Sequence, residues 1–298
     1  MNHRGTRTKD KPPITSDESL GWIDEVFNQF IDRKWAYSIP NVYSLVTIAS
    51  LKINTFIKNE DGVGGKEDAV KKNKTQLVHT VLERVAQYSS KADLTQTKKH
   101  LDEIKSSYRA LGFPILDLEA KLTNRGIVGA SSSFGKSVFE VGLSFHPILN
   151  VPYIHGSSIK GAIRAACTVK KIFPDKLVKE LFGNDAVGRL DFSDAYPVEK
   201  GVKGYIIIPD VLTPTYSKGG EDVLKENEAM PTPVLFPSIA PNTIFRFLMA
   251  DRAQKAEQQL MENLLKAVIV AFSLGIGAKT SLGYGTFELV RASVEAGG

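Results

Sequence analysis

The hydrophobic pattern of this chain changes its period at Pro114, and this change constrains the fold more than any other feature. Before Pro114, apolar residues recur at spacings of three and four in the runs 22–31, 42–57 and 94–111, as in amphipathic helices. After it, the apolar residues of 116–122 alternate with polar ones, which is typical of a half-buried strand. The sequence therefore predicts helices first and a β-sheet after them.

Later segments repeat both patterns in an order that favours one fold. Strands are predicted at 139–145, 190–192, 205–208, 244–249 and 287–289, and helices from 157 or 158 to about 171 and over 252–274, with Gly275 as a C-cap. The core order is strand, helix, strand, strand, helix, strand, with insertions. This is the order of a ferredoxin-like, RNA-recognition-type sheet, which we predict here, although periodicity by itself indicates only an α+β fold.

The chain divides accordingly into three parts. Residues 1–18 are polar, carry several cations and Pro12-Pro13, and are predicted to form a flexible basic arm. Residues 19–113 are predicted to form a helical extension with a glycine-rich loop at 59–65. Residues 114–298 are predicted to form the ferredoxin-like domain.

Composition narrows the function classes only a little. In a chain of 298 residues, 42% hydrophobic content is enough for a sizeable core, and no apolar run approaches the ~20 residues that span a membrane. No signal peptide is readable after Met1, and the lone Cys167 excludes an internal disulfide and a cysteine-based zinc cluster. We therefore expect a cytoplasmic protein without a metal or other cofactor. The net charge of +5 favours an anionic partner weakly, and cations concentrate in 159–179.

One segment, 152–164, combines small residues with two cations at a predicted helix start. It reads Pro-Tyr-Ile-His-Gly-Ser-Ser-Ile-Lys-Gly-Ala-Ile-Arg. A serine at the N-cap would leave first-turn amides free to meet a phosphate. Lys160 in the first turn opposes the helix dipole, a conflict that a bound phosphate would relieve, and Arg164 lies one turn further on. The alternative interpretation is an ordinary capped helix with exposed cations.

A second segment, 275–285, has four glycines in eleven residues between a predicted helix and the last predicted strand. Glycine lets backbone amides approach an anion without interference from a Cβ atom. Lys279, Thr280 and Ser281 add further donors. The alternative interpretation is a tight turn.

Both segments resemble signatures of the RAMP superfamily, the RNA-holding subunits of CRISPR effector complexes. Residues 156–161 resemble its serine-pair and lysine-glycine signature, and 275–285 resemble its C-terminal glycine-rich loop. Residues 145–153, 190–197 and 211–216 resemble, within it, the family of the sixth RAMP subunit of the type III-B (Cmr) complex. The resemblance covers roughly 117–291. The chain departs from the family at His155, where proline is usual, and at Thr215, where histidine is common.

The resemblance implies a non-catalytic, guide-RNA-binding subunit. Such a subunit holds the 3′ part of the CRISPR guide RNA by its backbone, which leaves the bases free to pair. The implied partners are the guide RNA, its duplex with target RNA, and other Cmr RAMP subunits; cleavage of the target belongs to other chains, and no membrane is involved. The residues predicted to bind RNA are Arg125, Lys136, Gly156, Ser157, Ser158, Lys160, Arg164, Gly275, Gly277, Lys279, Thr280, Ser281, Gly283 and Tyr284.

The main alternative is a metal-independent endoribonuclease that processes CRISPR repeat RNA. Such an enzyme needs a general base and a general acid around one 2′-hydroxyl, and His146, Tyr153 and His155 supply suitable groups. Another alternative is a purely structural assembly subunit. The carboxylates Asp191 and Asp194 are expected to be turn or capping groups rather than metal ligands.

The segment 130–137 nearly matches a phosphate-binding P-loop but is not expected to act as one. Its first glycine is replaced by Ala130. The motif also requires a helix after Lys136, whereas the alternation over 138–145 predicts a strand. Nucleotide hydrolysis is therefore not expected, although Lys136 is retained as an RNA contact.

Overall fold

The structure is a computed structural model that describes residues 41–47, 49–50, 67–132, 134–184, 186–213, 217–218, 221–222, 233–254 and 257–297. The expected arm at 1–18, the first helical run at 22–31 and the loop at 59–65 lie outside these ranges. Residues 42–47 and 49–50 are helical, as expected.

Two longer helices complete the N-terminal part. They are α1 (Glu67–Ser89) and α2 (Thr95–Ala110). Helix α2 matches the third predicted run. Helix α1 is not among the predicted runs, because the polar stretch Lys-Lys-Asn-Lys at 71–74 obscures the helical period of its apolar residues.

After Pro114, strands and helices alternate along the chain. In order they are β1 (Ile115–Leu122), α3 (Lys136–Phe139), β2 (Phe145–His146), β3 (Val151–Pro152), α4 (Gly156–Val169), α5 (Asp175–Phe182), β4 (Leu190–Phe192), β5 (Tyr196–Glu199), β6 (Ile207–Leu212), β7 (Ser217–Lys218), β8 (Glu221–Asp222), β9 (Val234–Ile239), β10 (Ile244–Asp251), α6 (Gln258–Leu274) and β11 (Phe287–Glu295). None of the helices that the structure describes combines the length and the apolar character needed to cross a membrane.

The central sheet confirms the predicted ferredoxin-like order. Its strands lie in the spatial order β11-β1-β10-β4, all neighbours antiparallel, and β5 also pairs with β10. Helix α4 connects β1 to β4, and α6 connects β10 to β11. In the register, Leu118 lies opposite Phe247 on one side and Ala292 on the other. The insertions form small two-stranded sheets, β2-β3, β6-β9 and β7-β8.

The predicted strand at 139–145 is wrong for most of its length. Residues 136–139 form a single helical turn, flanked by Gly135 at φ 80° and Glu140 at φ 64°. These two left-handed positions break an extended backbone, and only 145–146 form a strand. Lys136 is therefore followed by a helical turn after all, although the first glycine of a P-loop is still missing.

Other predicted boundaries shift by a few residues. Helix α4 ends at Val169 and is followed by α5, which the hydrophobic pattern does not separate from it. The strand expected at 205–208 begins at Ile207, after a 3₁₀ turn. The last helix begins at Gln258, because 252–254 form a turn.

One face of the sheet packs on α4 and α6. The buried residues of this face belong to the same hydrophobic cluster as residues of α1, so α1 shares its core with the sheet, whereas Leu101 of α2 belongs to a second cluster. Representative members are Val81, Leu82, Leu118, Leu122, Ile159, Ile163, Phe245, Phe247, Leu264 and Val268.

The opposite face of the sheet is covered by α2. Asp117 on β1 is fully buried there and accepts two hydrogen bonds of 2.8 Å from Arg246 on β10 and one of 2.8 Å from Lys105 on α2. Arg246 also donates to Asp102 on α2 at 2.8 Å, and Lys105 lies 2.6 Å from Glu295 on β11. This buried ion network fixes α2 across three strands of the sheet.

The network also keeps Asp117 ionised. Burial by itself would raise the pKa of this carboxyl, but the hydrogen bonds from Arg246 and Lys105 outweigh burial and hold its pKa below its usual value. Bidentate contact with a guanidinium is a strong charge-assisted geometry. A buried pair of this kind tolerates the loss of neither partner, because the remaining charge would be buried alone.

We expect Asp117→Asn to destabilise the chain by about 3–5 kcal/mol, since it removes the buried carboxylate and leaves the buried guanidinium of Arg246 only its exposed partner Asp102. The matched control is Asp102→Asn, which removes an exposed partner of the same guanidinium and should cost less than about 1 kcal/mol. Urea denaturation of the two purified variants measures both. Equal losses would show that the buried pair does not dominate the attachment of α2.

Candidate nucleic-acid interface

The two signature segments, far apart in sequence, meet at one cleft. The cleft has a volume of about 500 Å³ and lies between 128–132, the start of α4 and the loop at 276–278. Its lining includes Ser144, His155 and Ser158. It is large enough for a small ligand or one nucleotide.

Backbone hydrogen bonds hold the walls of the cleft together. The amide of Ala278 donates to the carbonyl of Ile127 at 2.8 Å, and the amide of Ser144 donates to the carbonyl of Val128 at 3.0 Å. The amide of Tyr153 donates in turn to the carbonyl of Ser144 at 3.0 Å. The glycine-rich loop, the 127–129 segment and the approach to α4 are therefore linked directly.

The N-terminus of α4 differs from the prediction. The N-cap is His155 rather than a serine, and its side chain makes no capping hydrogen bond. The amide of Gly156 donates instead to Oδ1 of Asp194 at 2.7 Å, and the amide of Ser158 donates to the carbonyl of His155 at 2.9 Å. Fewer amides are therefore free than predicted. The exposed hydroxyls of Ser157 and Ser158 remain as donors.

The acidic residues Asp191 and Asp194 near β4 form contacts with other residues of this chain. Asp194 caps α4, as expected, and Asp191 pairs with Arg252 at 3.4 Å. Within the described ranges, no three His, Cys, Asp or Glu side chains come together as a metal site would need.

Several predicted RNA-binding residues share one face of α4. Ser157, Lys160, Gly161 and Arg164 have the spacing of a single helical stripe, beside Ser158 in the cleft. Nζ of Lys160 lies 6.0 Å from the ring centroid of Phe192. Neither Lys160 nor Arg164 makes an ion pair with a described residue. The stripe therefore presents cationic charge that no carboxylate of the described chain balances.

Gly161 has no packing reason to be glycine. A Cβ atom built there meets nothing within 4 Å, in the middle of an exposed helix face. Glycine in such a position costs about 0.5–1 kcal/mol relative to alanine. Close approach of a ligand backbone is a physical reason to keep it.

The glycine-rich loop is built for close packing within the protein. A Cβ atom on Gly277, which has φ 109°, would lie 2.2 Å from the carbonyl oxygen of Ile127. On Gly275 it would lie 2.8 Å from Cγ2 of Thr280, and on Gly156 at the start of α4, 2.7 Å from the carbonyl oxygen of Phe192. These three glycines thus allow protein segments to pack closely, and their contact with RNA stays a prediction.

The loop leaves its cation and hydroxyl groups at the surface. Lys279 is exposed in a left-handed conformation at φ 59°, and it makes no ion pair with a described residue. Thr280 begins a 3₁₀ turn in which Ser281 is exposed, and Gly283 ends this turn at φ 83°. Lys136 is also exposed, but it lies on α3 and outside the cleft lining.

Two residues predicted to contact RNA are partners of a buried carboxylate. Asp210 on β6 forms an ion pair with Arg125 and accepts a 2.9 Å hydrogen bond from Oη of Tyr284. Burial and this hydrogen bond raise the pKa of Tyr284. Arg125 and Tyr284 are thus brought together, but the charge of Arg125 is already balanced, and the pair ties the glycine-rich loop to β6.

Sequence reasoning missed the residues that complete the cleft. The segment 128–132 is notable in the sequence only as part of a P-loop lookalike, and its small residues were the available signal. Ser144 gave no signal. Its hydroxyl is buried at the cleft wall and has no hydrogen-bond partner in the described chain. Such a group costs about 1–3 kcal/mol unless a ligand or water satisfies it.

The candidate catalytic groups lie in a cluster of five rings. Tyr153 is 4.6 Å from His155, 5.7 Å from Tyr196 and 6.2 Å from His146, measured between ring centroids. The fifth ring, His100 on α2, is 5.4 Å from Tyr196. His100 and Tyr196 carried no sequence signal, because their elements are brought here only by the packing of α2.

Most of the cluster is engaged in packing. Nδ1 of His146 accepts a 3.1 Å hydrogen bond from the amide of Leu149, and burial lowers the pKa of His146. Burial raises the pKa of Tyr153, and it raises that of Tyr196 to about 12. His155 is the exposed ring of the group.

Comparison with known proteins shows which proteins this chain resembles in sequence and in structure. The model of the RAMP superfamily matches residues 120–288. CRISPR system CMR subunit Cmr6 of Saccharolobus solfataricus is 31% identical over 269 residues, which are 90% of this chain and 87% of that protein. A chain in a cryo-EM structure of the Type III-B Cmr-beta bound to cognate target RNA superposes with a TM-score of 0.76 and 28% identity, covering 92% of this chain and 99% of that one.

The glycine geometry yields a paired expectation. Gly277→Ala should destabilise the chain by about 1–3 kcal/mol, because the new Cβ atom collides with the Ile127 carbonyl at a strained φ. Gly161→Ala should stabilise it by about 0.5–1 kcal/mol, because open space receives the methyl group. Guanidinium denaturation midpoints check both signs. A stabilised Gly277→Ala variant would contradict the assigned packing of the loop.

Proposed function

The chain belongs to the RAMP superfamily and, within it, to the Cmr6 family, and we propose that it holds the 3′ part of the guide RNA in a type III-B CRISPR effector without cutting RNA itself. Family membership makes it an effector subunit; its role toward RNA, its place in the cytoplasm and its contacts with other Cmr RAMP subunits belong to the proposal. The observation that carries it is the meeting of both signature segments at one cleft, flanked by cations that no described carboxylate pairs with.

Phosphate recognition suits this cleft chemically. The first turn of α4 offers the positive end of a helix dipole and two exposed serine hydroxyls, and Lys160, Arg164 and Lys279 supply charge around it. Apart from His155, the described lining consists of small, aliphatic and hydroxyl-bearing residues, without the Arg, Lys, Asn or Gln side chains that most often read base edges. A grip on the backbone accepts any guide sequence and leaves bases available for pairing.

The closed sheet face supports the same assignment. RNA-recognition domains bind RNA with aromatic side chains on the exposed face of their sheet. In this chain α2 packs on that face against β1, β5 and β10, with the buried ion network of Asp117, Arg246 and Lys105 between them. RNA is therefore expected at the loops beside α4.

The geometry also favours a non-catalytic role over the endoribonuclease alternative. General acid–base cleavage of RNA needs a base at the 2′-hydroxyl and an acid at the leaving 5′-oxygen. Nδ1 of His146 is already engaged by Leu149, and the raised pKa of Tyr153 makes it a poor base at neutral pH.

We expect CRISPR repeat RNA to remain intact when incubated with the purified chain in the presence of EDTA. Cleavage at one position that His155→Ala abolishes would establish the enzyme instead.

The double variant Lys160→Glu/Lys279→Glu tests the RNA grip directly. We expect its affinity for single-stranded RNA to fall about tenfold or more, with the log–log salt slope reduced by about 0.7 for each phosphate that the two lysines no longer neutralise. Lys98→Glu on α2, an exposed lysine across the sheet, is the matched control and should bind as the unmodified chain does.

Filter binding at several salt concentrations measures affinity and slope together. Thermal unfolding confirms that the variants are folded. A folded double variant with unchanged affinity and slope would remove these cations from the RNA interface and, with them, the main support for the proposal.

A further inference from the structure

An exposed aromatic pair lies where the cleft begins. His155 lines the cleft and is the N-cap of α4, and its ring meets that of Tyr153 at 4.6 Å and an interplanar angle of 67°. His155 is exposed, and Tyr153 is half-buried. The pair therefore presents ring surface directly beside the groups proposed to hold phosphate.

Contacts with neighbouring rings and with the cleft wall hold Tyr153 of this pair in position. The ring of Tyr153 stacks on the buried ring of Tyr196 at 5.7 Å and 21°, and His146 meets both from the edge. The amide of Tyr153 is bonded to the carbonyl of Ser144 in the cleft wall. A ligand that stacks here would lose little free energy in ordering the platform, because the rings are already held.

The cations and aromatic rings around His155 favour a nucleotide as the ligand. An apolar peptide would bring no charge to Lys160 and Lys279, whereas a nucleotide carries a phosphate for the cations and a π-face for the rings. His155 and the first turn of α4 are adjacent in the chain, so one nucleotide spans from phosphate contact to ring contact. The platform is continuous with the cleft, which argues for a single ligand occupying both.

We propose that His155 and Tyr153 form a stacking platform for one unpaired nucleobase of the bound RNA. This inference rests on the proposed backbone grip and adds a base contact to it. The contact reads no sequence, because every base has a π-face. It requires a single-stranded nucleotide, so the platform assigns this part of the cleft to RNA outside the guide–target duplex.

The test compares His155→Ala with His155→Phe, which keeps a flat ring. Neither disturbs a capping bond, since the His155 side chain makes none. Single-stranded RNAs carrying 2-aminopurine at successive positions report stacking by fluorescence quenching. We expect one position to be quenched by the unmodified chain and by His155→Phe. For His155→Ala we expect that quenching to vanish and affinity to fall about 5- to 100-fold with an unchanged salt slope.

Each other outcome is decisive. If His155→Ala binds and quenches like the unmodified chain while Lys160→Glu/Lys279→Glu loses affinity, the platform is wrong and the backbone grip stands. If neither variant changes binding, the proposed function fails as well. If His155→Phe loses quenching like His155→Ala, or if the salt slope falls for His155→Ala, the imidazole acts through its nitrogens or charge, and stacking is overturned.

Discussion

The buried contact of Asp117 with Arg246 and Lys105 holds α2 on the sheet and so determines which surfaces of the molecule stay accessible. The buried charges of Asp117 and Arg246 on the sheet and of Lys105 on α2 are stable only while they are paired with one another. The folded chain therefore keeps α2 on the sheet. Helix α2 thereby occupies part of the face with which RNA-recognition domains bind RNA, over β1, β5 and β10. In the proposed function, the anionic partner binds instead at the rim, where the connections before and after the two crossover helices meet.

That rim is shaped by close backbone packing. Gly156 fits α4 onto the end of β4, and Gly277 lets the C-terminal loop touch the carbonyl of Ile127. These segments position Lys160 and Lys279 without a neutralising carboxylate from the described chain, whereas Asp210 neutralises Arg125 nearby. Glycines and carboxylates assemble the cleft, and we propose that the cations without a carboxylate partner among the described residues give it affinity for phosphate.

The helices and strands that were predicted correctly are those whose apolar residues follow a regular local period. Alternation identified β1 and β10 and helical spacing identified α6, which supports an α+β fold. The choice of the ferredoxin-like topology, which the sheet confirms, did not follow from periodicity alone. The strand at 139–145 was wrong because Gly135 and Glu140 adopt left-handed backbone, which alternation does not report. The Arg125–Asp210 pair and the lining by 128–132 join residues distant in sequence. A single sequence does not encode such pairings in any local pattern, so the signature motifs predicted two segments that meet at the cleft but not the other residues that line it.

The most direct measurement is ultraviolet cross-linking of the assembled effector to its guide RNA, followed by mass spectrometry of the peptides of this chain. The account predicts cross-links in 128–132, 155–161 and 276–281, which are separate in sequence and meet at the cleft. Cross-links confined to α2, or to peptides away from these three segments, would contradict it.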